Sequence, residues 1–140
     1  MTAIARRVGG PLRHEVDVNG RHVIVTDEPA SLGGDDTGPA PHELLPATLA
    51  ACVATMISLY AGRHGWDVGD MVVHVTYDPD AIPRDVVVDI QLPAGLADEQ
   101  VARLRRVAET CPVRRALEAE FHFDDHIGVT DDGRPVPRAA

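Results

Sequence analysis

Cysteine and aromatic residues are scarce in this sequence. Among 140 residues there are two cysteines, one tryptophan, two tyrosines and two phenylalanines. Two cysteines are too few for the disulfide framework that holds many small secreted domains together. Five aromatic side chains provide no platform on which nucleic-acid bases would stack. The two cysteines are therefore either redox-active thiols or small side chains of a hydrophobic core.

Positive charge is also limited, since 13 basic residues stand against 22 acidic ones and the formal net charge is −9. Such a chain attracts neither phosphate backbones nor anionic lipid, so we expect no nucleic-acid partner. The N-terminus has no apolar run of signal-peptide length. No segment reaches the roughly 18 uncharged apolar residues of a membrane span. The sequence predicts a cytoplasmic protein without a membrane partner.

Several motifs that mark other kinds of site are missing. The Gly-Gly pair in SLGGDDTGP is followed by two aspartates, which repel a phosphate. No GxSxG sequence marks a serine nucleophile. His122 and His126, with Asp124 and Asp125, make only a weak metal site. We therefore expect neither a metal nor a cofactor.

Two β-hairpins are predicted. Residues 13–27 alternate polar and apolar positions on both sides of Asn19-Gly20, a dipeptide suited to a type I′ turn. Runs rich in β-branched residues begin at Met71 and at Asp85 and are separated by PDAIPR. Between the hairpins, residues 28–41 collect Gly, Pro, Ser and Asp without periodicity and predict a long loop.

Three helices are predicted as well. The first runs from His42 to about Arg63 and is apolar on all sides, which is typical of a central buried helix. One of its stripes contains Leu45, Leu49, Cys52, Met56 and Leu59. Because one chain of this size cannot easily cover such a helix, we expect an obligate homodimer.

The other two helices surround the second cysteine. Residues 97–110 form an amphipathic helix with pairs Glu99–Arg103 and Arg105–Glu109 on its polar side. Pro112 suits the first position of a short helix that runs to about Glu120. Residues 121–130 follow as a strand, and 131–140 as a disordered tail of a single domain over 1–140.

The two cysteines have different chemical settings. At the start of a helix, unpaired N–H groups and the helix dipole favour the Cys111 thiolate, and Arg114 and Arg115 add cations. An apolar mid-helix position instead raises the pKa of Cys52, so that thiol needs a cation from another element. Glu43 lies about 13 Å from Cys52 along a straight helix, too far for contact. It holds an arginine in place or favours the helix N-terminus.

One family resemblance covers nearly the whole chain. GGDDTGPAPHELLPATLAACVATMISLYAGRHGW, followed by CPVRRALE, strongly resembles the OsmC/Ohr superfamily of small bacterial stress proteins. The resemblance implies an α+β fold with antiparallel sheets packed around a central buried helix, in an intertwined homodimer with two interface sites. In peroxidatic members the cysteine on the central helix attacks an organic hydroperoxide and the CPV cysteine resolves it. These positions correspond to Cys52 and Cys111.

The resemblance also suggests the other partners and site residues. A dithiol or lipoylated reductant recycles the family's disulfide. The family arginine follows a Gly-Gly near the N-terminus, where Arg13 is the approximate counterpart. His42 falls at the glutamate of the family's NPEQL stretch, and Glu43 falls at the next position. The leading hypothesis is an organic hydroperoxide peroxidase that uses Cys52, Cys111, Arg13 and Glu43. The alternative is a non-catalytic stress-response protein that binds a small hydrophobic ligand.

Overall fold

A computed structural model describes residues 1–125 and residue 127 of the chain. The described elements, in chain order, are β1 (Ala3–Arg7), β2 (His14–Val18), β3 (His22–Thr26), α1 (Leu44–His64), β4 (Val72–Asp78), β5 (Asp85–Gln91), α2 (Asp98–Glu109) and α3 (Pro112–Leu117). Two short 3-10 turns, Ala30–Leu32 and Pro41–Glu43, lie between β3 and α1. The disordered tail predicted for 131–140 lies outside the described residues.

The first sheet has the antiparallel order β1-β2-β3. The predicted hairpin is confirmed, with His14 opposite Thr26 and Val18 opposite His22. Asn19 and Gly20 have φ values of 56° and 67°, the positive values that a type I′ turn requires. The sequence did not predict β1, whose five residues AIARR show only weak alternation. Pairing with β2 is what makes this segment a strand.

The second sheet is the antiparallel pair β4-β5, which confirms the second hairpin. Helix α1 packs against β4, α2 and α3, whereas the first sheet forms no comparable interface with the helices. The buried core lies on this side of α1, and its members are Leu49, Val53, Ile57, Ala61, Leu104, Ala108 and Cys111. The core thus joins the second hairpin to the three helices.

The predicted central helix is confirmed as α1, and within the single chain it is buried along one stripe. The buried stripe repeats every four residues, at Leu49, Val53, Ile57 and Ala61. Leu59, which the sequence places on the same apolar stripe as Leu49, is 54% exposed. The opposite face is uncovered and carries small residues such as Ala51 and Ser58.

The bounds of α1 follow local signals. Pro46 is the third residue of the helix, where its missing N–H has little effect. Gly65 ends the helix in the left-handed conformation with φ of 67°, and its N–H bonds to the carbonyls of Ala61 and Gly62. Over Pro41–His64 the segment is long and apolar enough to cross a membrane by length and composition, contrary to the expectation from sequence. The core helix of a soluble protein has the same length and composition.

The predicted helices around the second cysteine are confirmed, with shorter bounds for α3. Arg103 donates to Glu99 at 2.6 Å, as expected, but Arg105 and Glu109 form no ion pair among the described residues. Arg114 and Glu118 form one instead, at 2.9 Å. The strand predicted for 121–130 is wrong over 121–125, which contain no strand, and its remainder lies mostly outside the described residues.

Candidate functional site

The fold brings the two cysteines together. Cys52 lies in the middle of α1, half-buried, and Cys111 lies at the N-cap of α3, with no exposed surface. The Cys52 side chain packs against the core cluster that contains Cys111, and both cysteines are free thiols in the structure. The packing of α3 against α1 creates this contact. The two thiols therefore belong to the same part of the core.

The environment of Cys52 favours its protonated form. Burial is the largest cause that raises the pKa of the Cys52 thiol above its ordinary value, and the hydrogen bond with Cys111 raises it further. A backbone N–H of Val113 donates to Cys52 and opposes this shift. The predicted direction for Cys52 is confirmed. A reactive thiolate at neutral pH would need a cation in addition to these contacts.

Arg114 is the cation that the first turn of α3 places beside Cys111. Its guanidinium has a raised pKa, first through the hydrogen bond to Glu118, with smaller contributions from the charges of Glu109 and Cys111. The Arg114 Nε donates to Glu118 Oε1 at 2.9 Å. The guanidinium is thus held on its own helix by Glu118.

Glu43 lies at the start of α1 and binds a backbone group. Its Oε2 accepts a hydrogen bond from the N–H of Ala40 at 2.8 Å, across the 3-10 turn that precedes α1. This contact satisfies an N–H at the helix N-terminus, one of the two roles considered for a carboxylate here. Glu43 and Arg13 form no ion pair within the described part of the chain.

Arg13 lies just before β2, in the segment that follows Gly9-Gly10. Its Nε is buried and has no hydrogen-bond partner among the residues described. A carboxylate oxygen of Asp35 lies against Gly10, so that a Cβ on Gly10 would overlap it. The loop before α1 therefore packs on the turn that leads to Arg13. No hydrogen bond joins Arg13 to Cys52 within this chain.

Two cavities adjoin the helices on the core side. The first, which we name the α2 cavity, has a volume of about 440 Å³ and is bordered by Val53, Ile57, Leu104 and Ala108. The second, the α3 cavity, has a volume of about 610 Å³. Its walls are mostly apolar and also contain charged groups. The apolar and aromatic members include Leu45, Leu49, Tyr77, Val86 and Leu117, and the charged members include Arg84, Asp85 and Glu118. Arg114 and Val88 line both cavities.

Neither cysteine lines either cavity, although their neighbours do: Leu49 and Val53 flank Cys52 on α1. Among the described residues there is no group of three or more His, Cys, Asp or Glu side chains able to hold a metal ion. His126 of the weak metal site lies outside the described residues.

Sequence reasoning missed two features of this site. The Val113 N–H reaches Cys52 only because α3 packs on α1, and no sequence signal marks a backbone donor. The pairing of Arg114 with Glu118 was overlooked, although their i,i+4 spacing on a predicted helix is a signal that sequence reasoning can use.

Comparison with known proteins places this fold. Residues 33–124 match the family model described as OsmC-like protein. No curated protein matches the chain. A protein of Psychrobacter arcticus named for osmotic stress induction and detoxification has a crystal structure similar to this one, with 28% identity and a TM-score of 0.70. The alignment covers 83% of this chain and 87% of that one.

Two further structures show the same α+β fold of antiparallel sheets and a central helix. One is an organic hydroperoxide resistance protein of Legionella pneumophila, with 25% identity, a TM-score of 0.51 and coverage of 84% of this chain and 89% of that one. The other is an organic hydroperoxide resistance protein of Vibrio cholerae with captopril in one active site. It has 22% identity, a TM-score of 0.58 and 84% coverage of each chain.

Proposed function

Because this chain belongs to the OsmC-like protein family, we propose that it is a stress-response thiol peroxidase that reduces organic hydroperoxides. The observation that carries this proposal is the contact between the thiols of Cys52 and Cys111. Two neighbouring thiols in one core are the arrangement from which a disulfide can form. The Legionella protein, named for organic hydroperoxide resistance, supports the choice of substrate class.

In the first step Cys52 is the nucleophile. Its thiolate attacks the distal oxygen of the hydroperoxide, the O–O bond breaks, and the departing alkoxide takes a proton to give an alcohol. The sulfur becomes a sulfenic acid. Cys52 keeps part of its surface exposed on α1, whereas Cys111 has none, so Cys52 is the more accessible of the two to a small substrate.

In the second step Cys111 resolves the sulfenic acid. The Cys111 sulfur attacks the Cys52 sulfur, a disulfide forms, and hydroxide leaves with the thiol proton as water. A dithiol, such as a lipoylated protein, then reduces the disulfide and is itself oxidised to a disulfide. This sequence returns both cysteines to the thiol form that the structure contains.

Arg13 and Glu43 are proposed as the remaining site residues. A buried thiolate needs a cation. The buried Nε of Arg13 is a donor without an acceptor among the described residues. The proposal places Arg13 against Cys52 in an intertwined homodimer, where β2 of one subunit crosses α1 of the other. Glu43 then orients the guanidinium by its carboxylate.

Uncovered surface supports the homodimer. The outer face of α1 is exposed, and so are apolar side chains of the first sheet, with Val23 61% and Ile24 40% exposed. A second copy is the proposed cover for both surfaces, and two-fold symmetry then gives two equivalent sites. We place the protein in the cytoplasm, where thiol reductants keep such cysteines reduced.

The proposed activity is tested by oxidation of the purified protein with one equivalent of cumene hydroperoxide. Peptide mapping should find a Cys52–Cys111 disulfide, and cumyl alcohol should form in equal amount. Cys52→Ser should consume no peroxide. Cys111→Ser should stop at the sulfenic acid and then over-oxidise at Cys52. If both wild-type thiols remain alkylatable after excess peroxide, the chain is not a peroxidase.

A second candidate function is the binding of a small hydrophobic ligand without catalysis. The α3 cavity favours it, because a volume of about 610 Å³ with mostly apolar walls is in the range of small-molecule sites. In this case the cysteines are core side chains. The variant with both Cys52→Ser and Cys111→Ser separates the two functions: a binding protein keeps its affinity for an apolar fluorescent probe, whereas a peroxidase loses all peroxide consumption.

A further inference from the structure

The loop between β3 and α1 lies against the turn that leads to Arg13. We propose that Asp27 and Asp35 are positioning residues: Asp27 holds the loop in one conformation, and Asp35 fixes the turn between β1 and β2 that ends at Arg13. The inference rests on the proposed function, in which Arg13 supplies the cation for Cys52. Neither aspartate belongs to the proposed set of site residues.

Asp27, the residue that follows β3, anchors the loop and has no exposed surface. Its N–H donates to the carbonyl of Pro39, near the other end of the loop, at 3.2 Å. Its Oδ2 accepts hydrogen bonds from the N–H of Asp35 at 3.3 Å and from the N–H and the hydroxyl of Thr37 at 3.2 and 2.7 Å. Its Oδ1 accepts from the N–H of Glu28 at 2.9 Å. A buried carboxylate with these donors holds the backbone on both sides of Asp35 in one conformation.

The contact between Asp35 and Gly10 joins this loop to the turn. The carboxylate of Asp35 occupies the space that a Cβ on Gly10 would fill. Gly10 does not have a positive φ, unlike Gly9 at 69°, so its backbone conformation is open to residues with a side chain. The Asp35 carboxylate is therefore what excludes a side chain from Gly10, and the missing Cβ lets that carboxylate approach the backbone of the turn.

The turn itself is closed by a hydrogen bond at Arg13. The N–H of Val8, just after β1, donates to the carbonyl of Arg13, just before β2, at 3.0 Å. The Cβ of Arg13 lies 3.8 Å from the place of a Cβ on Gly10, so the Asp35 contact is made close to the base of the arginine side chain. Because no acceptor holds the Nε of Arg13 within the described chain, the backbone of this turn sets the position of the side chain.

Asp35 acts on the backbone of the turn and not on the guanidinium. Asp35 and Arg13 form no ion pair among the described residues. A carboxylate paired with the guanidinium would oppose its effect on a thiolate, because the two charges have opposite sign. A contact at Gly10 instead fixes the turn and leaves the charge of Arg13 available. The role that follows for both aspartates is therefore to position Arg13.

The position of Arg13 can be measured without peroxide. A buried Nε–H that exchanges slowly with water gives a cross-peak in a proton–nitrogen NMR spectrum, and Arg13→Lys identifies the peak of Arg13. In Asp35→Ala this peak should weaken or disappear, because the released turn exposes Nε to water. Asp35 is otherwise exposed, so the substitution leaves the core intact. Asp36→Asn, the control at the exposed neighbouring position, should keep the peak, since asparagine tolerates its φ of 52°.

Gly10→Ala breaks the same contact from the other side. The added Cβ takes the place of the Asp35 carboxylate, so the Arg13 peak should again be lost. The variant with both Gly10→Ala and Asp35→Ala should be no worse than Asp35→Ala alone, because the two changes remove one contact. Asp27→Asn should also weaken the peak, and should add nothing to Asp35→Ala although it lowers Tm. If Asp27→Asn does not fold, the other two variants decide, since they keep the Asp27 hydrogen bonds.

Peroxide consumption separates this inference from the proposed function. The rate constant of the wild type with cumene hydroperoxide should fall about tenfold in Asp35→Ala and in Gly10→Ala. Asp35→Ala should cause no further loss in an Arg13→Met background. A wild type that consumes no peroxide means that the proposed function fails, and the NMR spectra then still decide whether the aspartates position Arg13. Unchanged peaks, or unchanged rates in an active protein, in both Asp35→Ala and Gly10→Ala would overturn the inference.

Discussion

The thiol of Cys52 on α1 neighbours the thiol of Cys111 in the same core, and this neighbour favours the protonated form of Cys52. The protonated form of Cys52 opposes the reaction that we propose, because peroxide reacts with a thiolate. The N–H of Val113 offsets part of the rise in the pKa of Cys52. A complete site must therefore supply positive charge to Cys52 as well as the N–H of Val113.

Removal of the Cys111 thiol should lower the pKa of Cys52. Burial, the larger cause, persists in Cys111→Ala, but the hydrogen bond and the charge of the second thiol are lost. The rate of Cys52 alkylation by iodoacetamide, measured against pH, should therefore rise at a lower pH than in the wild type. Val113→Ala is the control, because it shortens a neighbouring core side chain and keeps the backbone N–H. A profile that stays in place or moves to higher pH in Cys111→Ala contradicts the contact.

Asp27 should stabilise the protein above pH 4 and lose this effect in acid. Its buried carboxylate accepts hydrogen bonds from the N–H groups of Glu28, Asp35 and Thr37 and from the Thr37 hydroxyl, at 2.7 to 3.3 Å. The Thr37 hydroxyl is the largest cause that lowers the pKa of Asp27 below its ordinary 3.8, while burial opposes it. This carboxylate holds the loop whose Asp35 packs on Gly10.

The sign of the pH effect follows from the lowered pKa. Above pH 3.8 Asp27 is ionised in both states and its folded contacts are complete, so they stabilise the fold. As the pH falls below 3.8 the unfolded chain takes up a proton first, and stability is lost. Asp27→Asn should lower Tm by several degrees at pH 7, and its difference from the wild type should shrink at pH 3. Asp36→Asn, at an exposed position of the same loop, should change Tm little. A pH-independent difference would refute the argument.

The uncovered face of α1 should be a subunit interface. Light scattering should give about twice the chain mass of 15.0 kDa at micromolar concentration. Ala51→Arg places a long charged side chain on this face and should convert the dimer to monomer or unfold it. Ala102→Arg makes the same substitution at an exposed position of α2 and should leave the mass unchanged. A folded wild-type monomer would exclude the intertwined arrangement.

The elements that sequence predicted well are those with a local signal. Asn19-Gly20 fixes a turn by its backbone preferences, and Pro112 and Gly65 set helix ends by theirs. The pairing of Cys52 with Cys111 came from family resemblance, because nothing local brings α3 onto α1. Which apolar stripe of α1 is buried could not be predicted for a similar reason. A helix with apolar residues around its whole circumference contains several candidate stripes, and only tertiary packing selects Leu49, Val53, Ile57 and Ala61.

The positions of the arginines in the fold could not be predicted from sequence alone. Periodicity predicts that Arg114 lies one turn beyond Cys111, but its place between two cavities depends on how β5 and α2 pack around it. Arg13 is a harder case, since its buried Nε finds no partner within the described chain. Its function depends on a surface that a second subunit would complete, and such a surface has no signature in one sequence.

Substitution of Arg13 should impair Cys52 and leave Cys111 unaffected. A buried guanidinium donor without an acceptor is destabilising, so the Nε of Arg13 should gain its partner on assembly, where we propose that it faces Cys52. In Arg13→Met the pH profile of Cys52 alkylation should move to higher pH by about one unit, or roughly tenfold less thiolate at neutral pH. Arg13→Lys should restore it poorly, because an ammonium lacks the planar fork of donors.

Glu43 and Arg114 provide the comparisons that identify the cation. Glu43→Gln should shift the Cys52 profile in the same direction by less, since that carboxylate acts through the position of the arginine and also binds the Ala40 N–H. Arg114→Gln should have little effect on Cys52 alkylation. An unchanged Cys52 profile in Arg13→Met would remove Arg13 from the site. If Arg114→Gln then moved the Cys52 profile, the cation at Cys52 would come from α3.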